Sequence, residues 1–445
     1  MNEQGERELL LACLSESRGQ ASVSRLEGLG IEDWVGIVRR AVRCRVAPLL
    51  HHRLRDLSPG VAIPTSTRRE LRDIYFFNAG RNLYFYNELA EIAALLRKEN
   101  VPVIVLKGAY LAEAVYARRG LRQMGDLDLL VKATDLARVE KRMLELGFSP
   151  DPLNQTEHAE LCSHLAYIRP EMGLLVEVHW DIEGSPSAFN VDVDGLWERS
   201  RRTSVAGVQV SALSTEDLLL HLCLHASFHH LFIGGVQSLA DIAEMLRHDE
   251  EQPDWAEVRD RARQWGASHC VFLTLYLAWK LLDAAVPDAV LKDLRPSDFN
   301  EHYAAWAEDR MFDDADSSDG CVSDNWGRLL KCRRLSEGVP LLFRIALPNK
   351  RVLARMYSVP LGSRRVYLYY PIHVADLVRR HGHRAWRLLR GDVKTRAWIE
   401  GQGRRVEEAS LKEQVLQHGE RTTGWIRQDA RRVEQLAILQ WLASA

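Results

Sequence analysis

The feature that most constrains this chain is a change of hydrophobic period at Val101. Before it, apolar residues recur at three- and four-residue steps. Trp34, Ile37, Val38, Val42, Val46 and Leu49 do so over residues 32–55, and Leu89, Ile92, Ala93 and Leu96 do so in a stretch from 67 to about 98. That spacing predicts amphipathic helices, with Pro59, Gly60 and Pro64 breaking the pattern between them. At Val101 the texture changes. VPVIVLKG, ending at Gly108, is short, apolar and β-branched, as a buried strand is. Residues 109–116 have helix composition, and GDLDLLV over 125–131 alternates acid and apolar residues as a strand does. Residues 133–146 predict an amphipathic helix closed by Gly147. Residues 164–169 and 174–180 predict two strands joined by a Pro-Glu-Met-Gly turn. Helical period returns at Ser214, where Ser214 or Thr215 can cap a helix with Glu216 and Asp217 in its first turn, and it continues with breaks to about Cys332.

The expected fold class is therefore α+β: a small mixed-sheet core with N- and C-terminal helical additions. The expected regions are an N-terminal helical region (1–99), the α/β core (100–213), a helical domain (214–345) and a basic C-terminal region with a helical tail (346–445). The acidic, small and polar stretch around residue 313 reads as a loop or linker.

Composition narrows the class. The 445 residues are 46% hydrophobic and 27% charged, which suits a globular protein and excludes wholesale disorder. The net charge of -2 excludes a chain that is basic throughout. A local excess exists nevertheless: residues 350–400 carry a net charge of about +9. Tyr357, Tyr367, Tyr369, Tyr370 and Trp386 are interleaved there, a pattern that admits nucleic acid or a lipid surface. Docking on the acidic remainder, or a plain solvated surface, is the favoured reading, so nucleic acid is not favoured as a partner. The 7 Cys are odd in number and lack a CxxC pair, so neither a disulfide framework nor a zinc knuckle is expected. The polar, acidic N-terminus lacks a signal-peptide pattern. The apolar window 270–286, broken by Lys280 and Asp283, falls short of the roughly 20 residues a membrane span needs. A cytoplasmic protein with no membrane span is the expectation, with Cys223 and Cys270 as small core residues.

The chemistry concentrates in the middle. On a strand, residues two apart face one side, so Asp126 and Asp128 present adjacent carboxylates. Unpaired, these repel and desolvate badly; a divalent cation between them resolves both costs, and Mg²⁺ (or Mn²⁺) suits such hard oxygen donors. Glu177, between Val176 and Val178, offers a third carboxylate or a base for an attacking hydroxyl. Lys107 and Gly108 stand where a strand end opens a helix, a setting in which backbone N–H groups reach phosphate. Arg118, Arg119 and Arg122 follow as phosphate ligands. The competing readings are an edge strand with outward acids for the Asp126–Asp128 pair and a lone strand acid for Glu177. His179 shares the Glu177 face, where it orients a phosphate or base or makes a structural hydrogen bond. His221, His225 and His229 recur at four-residue steps on one helix face, with His230 adjacent. Three successive turns span too far for one zinc ion, although two of these histidines with a distant acid such as Asp241 could hold one; the favoured reading makes His225 a cleft residue beside His179 and the others satisfied core groups.

Taken together, LKG at 106–108, Tyr116 and Arg119, GDLDLLV and VEVHW (176–180) resemble the uncharacterised nucleotidyltransferase family of bacteria, within the DNA polymerase β-like nucleotidyltransferase superfamily. The upstream run RNLYFYNELAEIAALLRKENVPVIVLKG and the downstream LSTEDLLLHLCLHASFHH and LADIAEML also resemble it, over roughly residues 68–287. The resemblance implies a Gly turn for the triphosphate and Asp126, Asp128 and Glu177 as metal ligands. It also implies transfer of a nucleoside monophosphate from an NTP, ATP favoured, to a small-molecule, peptide or protein hydroxyl, with pyrophosphate released. One departure stands out: Gly108-Ala109 replaces the usual Gly-Gly or Gly-Ser. It favours the alternative of a catalytically degenerate module that binds nucleotide or a partner without turnover.

Overall fold

A computed structural model describes residues 1–15, 23–56, 62–151, 163–169, 173–182, 189–247 and 252–312, with residues 367, 369–371, 374, 438 and 441–443. The linker near residue 313, most of the basic aromatic stretch and most of the tail beyond 403 lie outside the described residues, as does the predicted turn at 170–172. The chain divides into two compact units. One comprises Met1–Asp151, Ser163–Ser318 and Trp441–Ala445; the other comprises Pro152–Cys162 and Asp319–Gln440.

At the centre of the first unit is a seven-stranded mixed sheet of order β3-β4-β5-β2-β1-β7-β6. The strands are β1 (Ile104–Val105), β2 (Leu127–Leu130), β3 (Ser149–Pro150), β4 (His164–Arg169), β5 (Leu174–His179), β6 (Arg201–Val205) and β7 (Val208–Ala212). The α+β expectation holds. β2 runs parallel to β5 and antiparallel to β1, and β4 and β5 form the expected antiparallel pair. β2 is thus an interior strand, which removes the edge-strand reading of its acids. All four of its residues are buried, so both of its faces are covered. Along β5, Leu174, Val176 and Val178 turn one face into the core while Glu177 lies on the other.

Helices precede the sheet: α1 (Glu3–Leu14), α2 (Val23–Glu27), α3 (Ile31–Arg43), α4 (Ala47–Asp56) and the long α5 (Thr65–Lys98). Residues 32–55, one periodic stretch in sequence, are two helices. Arg45 takes φ +58° between them, and that left-handed turn breaks the helical hydrogen-bond ladder while the apolar period runs on. α5 buries Leu71, Phe85, Tyr86, Leu89, Ile92 and Leu96. It also buries Asn78 and Asn82, whose amides donate to the carbonyls of Arg119, Gly120 and Arg122. The loop before β2 is hung on those two side chains.

Within the sheet region lie α6 (Lys107–Ala114), α7 (Leu136–Glu145) and α8 (Val193–Arg199). After β7 come α9 (Thr215–Leu224), α10 (Val236–Arg247), α11 (Trp255–Trp265), α12 (Ser268–Leu282), α13 (Asp288–Leu294) and α14 (Glu301–Arg310). Ser214 caps α9, its hydroxyl accepting from the Asp217 N–H. Cys223 and Cys270 are fully buried in the core. α12 is the apolar window of the sequence, and no helix among the described residues is long and apolar enough to cross a membrane.

Candidate active site

The parallel pairing of β2 with β5 sets Asp128 directly opposite Glu177 and Leu130 opposite His179. The antiparallel pairing of β4 with β5 sets Ala166 opposite Glu177 and His164 opposite His179. One face of three neighbouring strands therefore carries Asp128, Glu177, His179 and His164, and the small Ala166 leaves room beside Glu177. Asp126 precedes β2 by one residue and, by the two-residue repeat, shares the Asp128 face.

Lys107 enters the same cluster from the β1 end. Its Nζ lies 3.0 Å from Asp128 Oδ1 and 3.4 Å from His225 Nδ1. It opens α6 with φ +31°, a conformation that an L side chain adopts at a cost. His179 Nε2 stands 3.1 Å from the same Asp128 oxygen and 3.4 Å from Glu177 Oε2.

The charges are unequal. Asp126 keeps no hydrogen-bond or ion-pair partner among the described residues; desolvation, with the neighbouring Asp128 charge, pushes its carboxyl up to about 6. Burial acts in the same direction on Asp128, but Lys107 and His179 outweigh it and hold that carboxyl well below its ordinary range. Burial lowers Lys107 and His179, and the surrounding carboxylates more than offset it, so both are raised. His225 is held neutral, first by burial and then by Lys107, which leaves its Nδ1 free to accept from the ammonium. A carboxylate oriented into a buried cluster without a donor is a group a hard divalent cation would satisfy, and the oxygen donors of Asp126, Asp128 and Glu177 fit Mg²⁺ or Mn²⁺.

Gly108 lies at the first turn of α6. A Cβ there would sit 3.0 Å from Arg122 Nη1, so glycine permits the guanidinium to press on the turn. Arg122 is itself held by α10: its Nε and Nη2 each donate to Asp241 at 2.8 Å, and Tyr116 Oη donates to Asp241 at 2.7 Å. Arg119 sits farther out, paired with Glu113 at 2.5 Å and stacked over Tyr86. Lys107, Asp126, Asp128, Glu177, His179 and His225 are thus brought together. Arg122 meets the Gly108 turn with one nitrogen, and Arg119 faces α6 and α5.

The histidine series departs from a single helix face. α9 ends at Leu224 and His225–His229 form a π turn, whose wider winding sets the His225 ring nearest His230, centroids 4.3 Å apart. His221 is buried with Nε2 unpartnered among the described residues.

Sequence reading missed Asn78, Asn82 and His164, and took Asp241 only as a distant acid that could share a metal with two of the helix histidines, whereas it pairs with Arg122 and Tyr116. It also missed Arg81, whose charge meets that of Asp126, and Arg45, whose charge bears on Arg81 and His230. Pattern alone offered a signal only for His164, which opens a predicted strand.

No curated protein and no solved structure matches the chain significantly. The model of an uncharacterised nucleotidyltransferase family matches residues 31–283, more than half of the sequence. That span takes in α3 through α12, and with them every residue of the acid cluster, so this chain belongs to the uncharacterised nucleotidyltransferase family.

Proposed function

We propose that this chain transfers a nucleoside monophosphate from an NTP to an acceptor hydroxyl, releasing pyrophosphate. The observation that carries the reading is the in-register pairing of Asp128 with Glu177 on parallel strands, beside an Asp126 that has no hydrogen-bond partner among the described residues. In this reading Asp126, Asp128 and Glu177 hold Mg²⁺ or Mn²⁺. Bound there, the cation supplies charge neutralisation for the triphosphate and acidifies an attacking hydroxyl.

The chain's own groups have separate work. The α6 N-terminus at Lys107 and Gly108 presents backbone N–H groups to phosphate oxygens. Lys107, whose Nζ lies 3.0 Å from Asp128 Oδ1, carries the ammonium that would pair with phosphate charge. Arg122 offers Nη1 to the phosphates while Asp241 fixes its plane; Arg119 extends the basic rim. His179 orients Glu177 and Asp128, and Glu177 accepts the acceptor's proton. His225 steadies Lys107. ATP is the favoured donor, and the acceptor is a small molecule or a peptide or protein hydroxyl. The four regions bounded near residues 99, 213 and 345 are our proposed domain plan.

The degenerate binding module remains the second reading on one observation: Ala109, buried at 1% exposure, brings no hydroxyl to the phosphate turn. Titration calorimetry with ATP, GTP, CTP and UTP, with and without Mg²⁺, tests both. Mg²⁺-dependent binding is expected to weaken about a hundredfold or more in an Asp126→Ala/Asp128→Ala variant. Intact folded protein that binds no NTP would overturn the enzyme reading. Tight binding without pyrophosphate release, across a panel of acceptors, would favour the module.

A further inference from the structure

We propose that His164, Glu177 and His179 form a second cation site, selective for a first-row transition ion such as Zn²⁺ or Co²⁺. It lies beside the acid cluster and shares only Glu177 with the proposed Mg²⁺ ligands.

Strand pairing builds the site. His164 and His179 are direct cross-strand partners on β4 and β5, and Glu177 is two residues before His179 on the same face. The one donor atom offered by each residue lies within 4.8 Å of the other two. Glu177 divides its oxygens: Oε1 stands 4.0 Å from His164 Nε2, and Oε2 stands 3.4 Å from His179 Nε2. A separation of 4.0 Å is too long for a hydrogen bond. Two donors on one tetrahedral ion with bonds of about 2.1 Å stand about 3.4 Å apart, the separation that His179 Nε2 and Glu177 Oε2 already have, and His164 would close by about half an ångström to join them. His179 Nε2 faces both Asp128 Oδ1 at 3.1 Å and Glu177 Oε2 at 3.4 Å. Asp128 Oδ1 also accepts from Lys107 Nζ at 3.0 Å, so an ion held by Nε2 and Glu177 would leave Asp128 with its ammonium donor.

Donor chemistry decides the class of ion. Two imidazoles and a carboxylate favour zinc, cobalt and their neighbours over magnesium, whose ligands are oxygens. The three donors come from one sheet face, so the opposite side of the ion stays open to water or substrate, as in catalytic rather than structural sites. The shared Glu177 would couple this ion to the one held by Asp126 and Asp128.

The test uses full-length protein stripped with chelator and titrated with Co²⁺ alone, without nucleotide, following the visible d–d absorption. One equivalent is expected, displaced by Zn²⁺ and untouched by excess Mg²⁺. His164→Ala is expected to weaken Co²⁺ about tenfold or more, with His164→Gln as a second variant should alanine disturb folding, judged by near-ultraviolet circular dichroism. His302→Ala, a distant exposed histidine, should change nothing. Asp126→Asn separates the two ideas: it should leave Co²⁺ binding in place while removing Mg²⁺-dependent nucleotide binding. Absence of Co²⁺ binding, binding indifferent to His164, or displacement by Mg²⁺ would each overturn the site, whatever the nucleotide titrations give.

Discussion

Two buried groups of charge lie in the same compact unit and differ in balance. Around Asp241, one carboxylate meets one guanidinium through both oxygens and a phenol through one; its charges cancel. Around Asp128, three carboxylates share Lys107 and His179, and Asp126 is left without a hydrogen-bond partner among the described residues. Burying an ion costs several kcal/mol unless it is paired. A balanced pair therefore holds a fold together, whereas a surplus of one sign is tolerable only where a ligand of opposite sign arrives. Burial of charge does not by itself mark a site; imbalance does.

The sharpest way to break this contrast is to unbalance the balanced cluster. Asp241→Ala strands a guanidinium that is 11% exposed, and is expected to destabilise the protein by about 3–5 kcal/mol in urea unfolding. An unchanged midpoint would remove the structural half of the comparison.

Relieving the unbalanced cluster should act with the opposite sign. A carboxyl raised from 3.8 to about 6 favours folding only while protonated. That contribution is complete below pH 3.8 and is lost as pH rises through about 6. Asp126→Asn should therefore stabilise metal-free protein at pH 8, by at most about 3 kcal/mol, with no gain at about pH 3.5 and growth between. An equal effect at both ends would show that ionisation is not the cause.

The smallest effect probes the place where the two clusters touch. Gly108→Ala puts a Cβ 3.0 Å from Arg122 Nη1, and Arg122 has little freedom because Asp241 holds its other nitrogens. A loss of about 1 kcal/mol is expected, with weaker NTP binding. In an Asp241→Asn background the cost should shrink as the guanidinium is freed; a double-mutant cycle reads that coupling.

Much of this was legible in one dimension. The two-residue repeat of GDLDLLV and VEVHW marked the strands and the side on which their acids lie, and Ser214 with Asp217 announced a helix start. The apolar period of residues 32–55 was also plain, but it concealed the turn at Arg45. Periodicity records which residues face the core, and two helices packed on one core keep that record across a break. The π turn at His225–His229 was hidden likewise, since residue spacing carries no signal for one extra residue of winding.

The amino-acid sequence by itself determined the α/β core between helices, the acids of two strands and the family, because alternation, capping and turn chemistry are properties of neighbouring residues. The tertiary structure alone decided that β2 and β5 lie side by side, parallel and with Asp128 against Glu177. It also decided that Arg122 answers to Asp241, 119 residues away, and that His164 faces His179. Register and distant ion pairs depend on how the whole core packs, and a single strand's pattern is compatible with several partners until burial selects one.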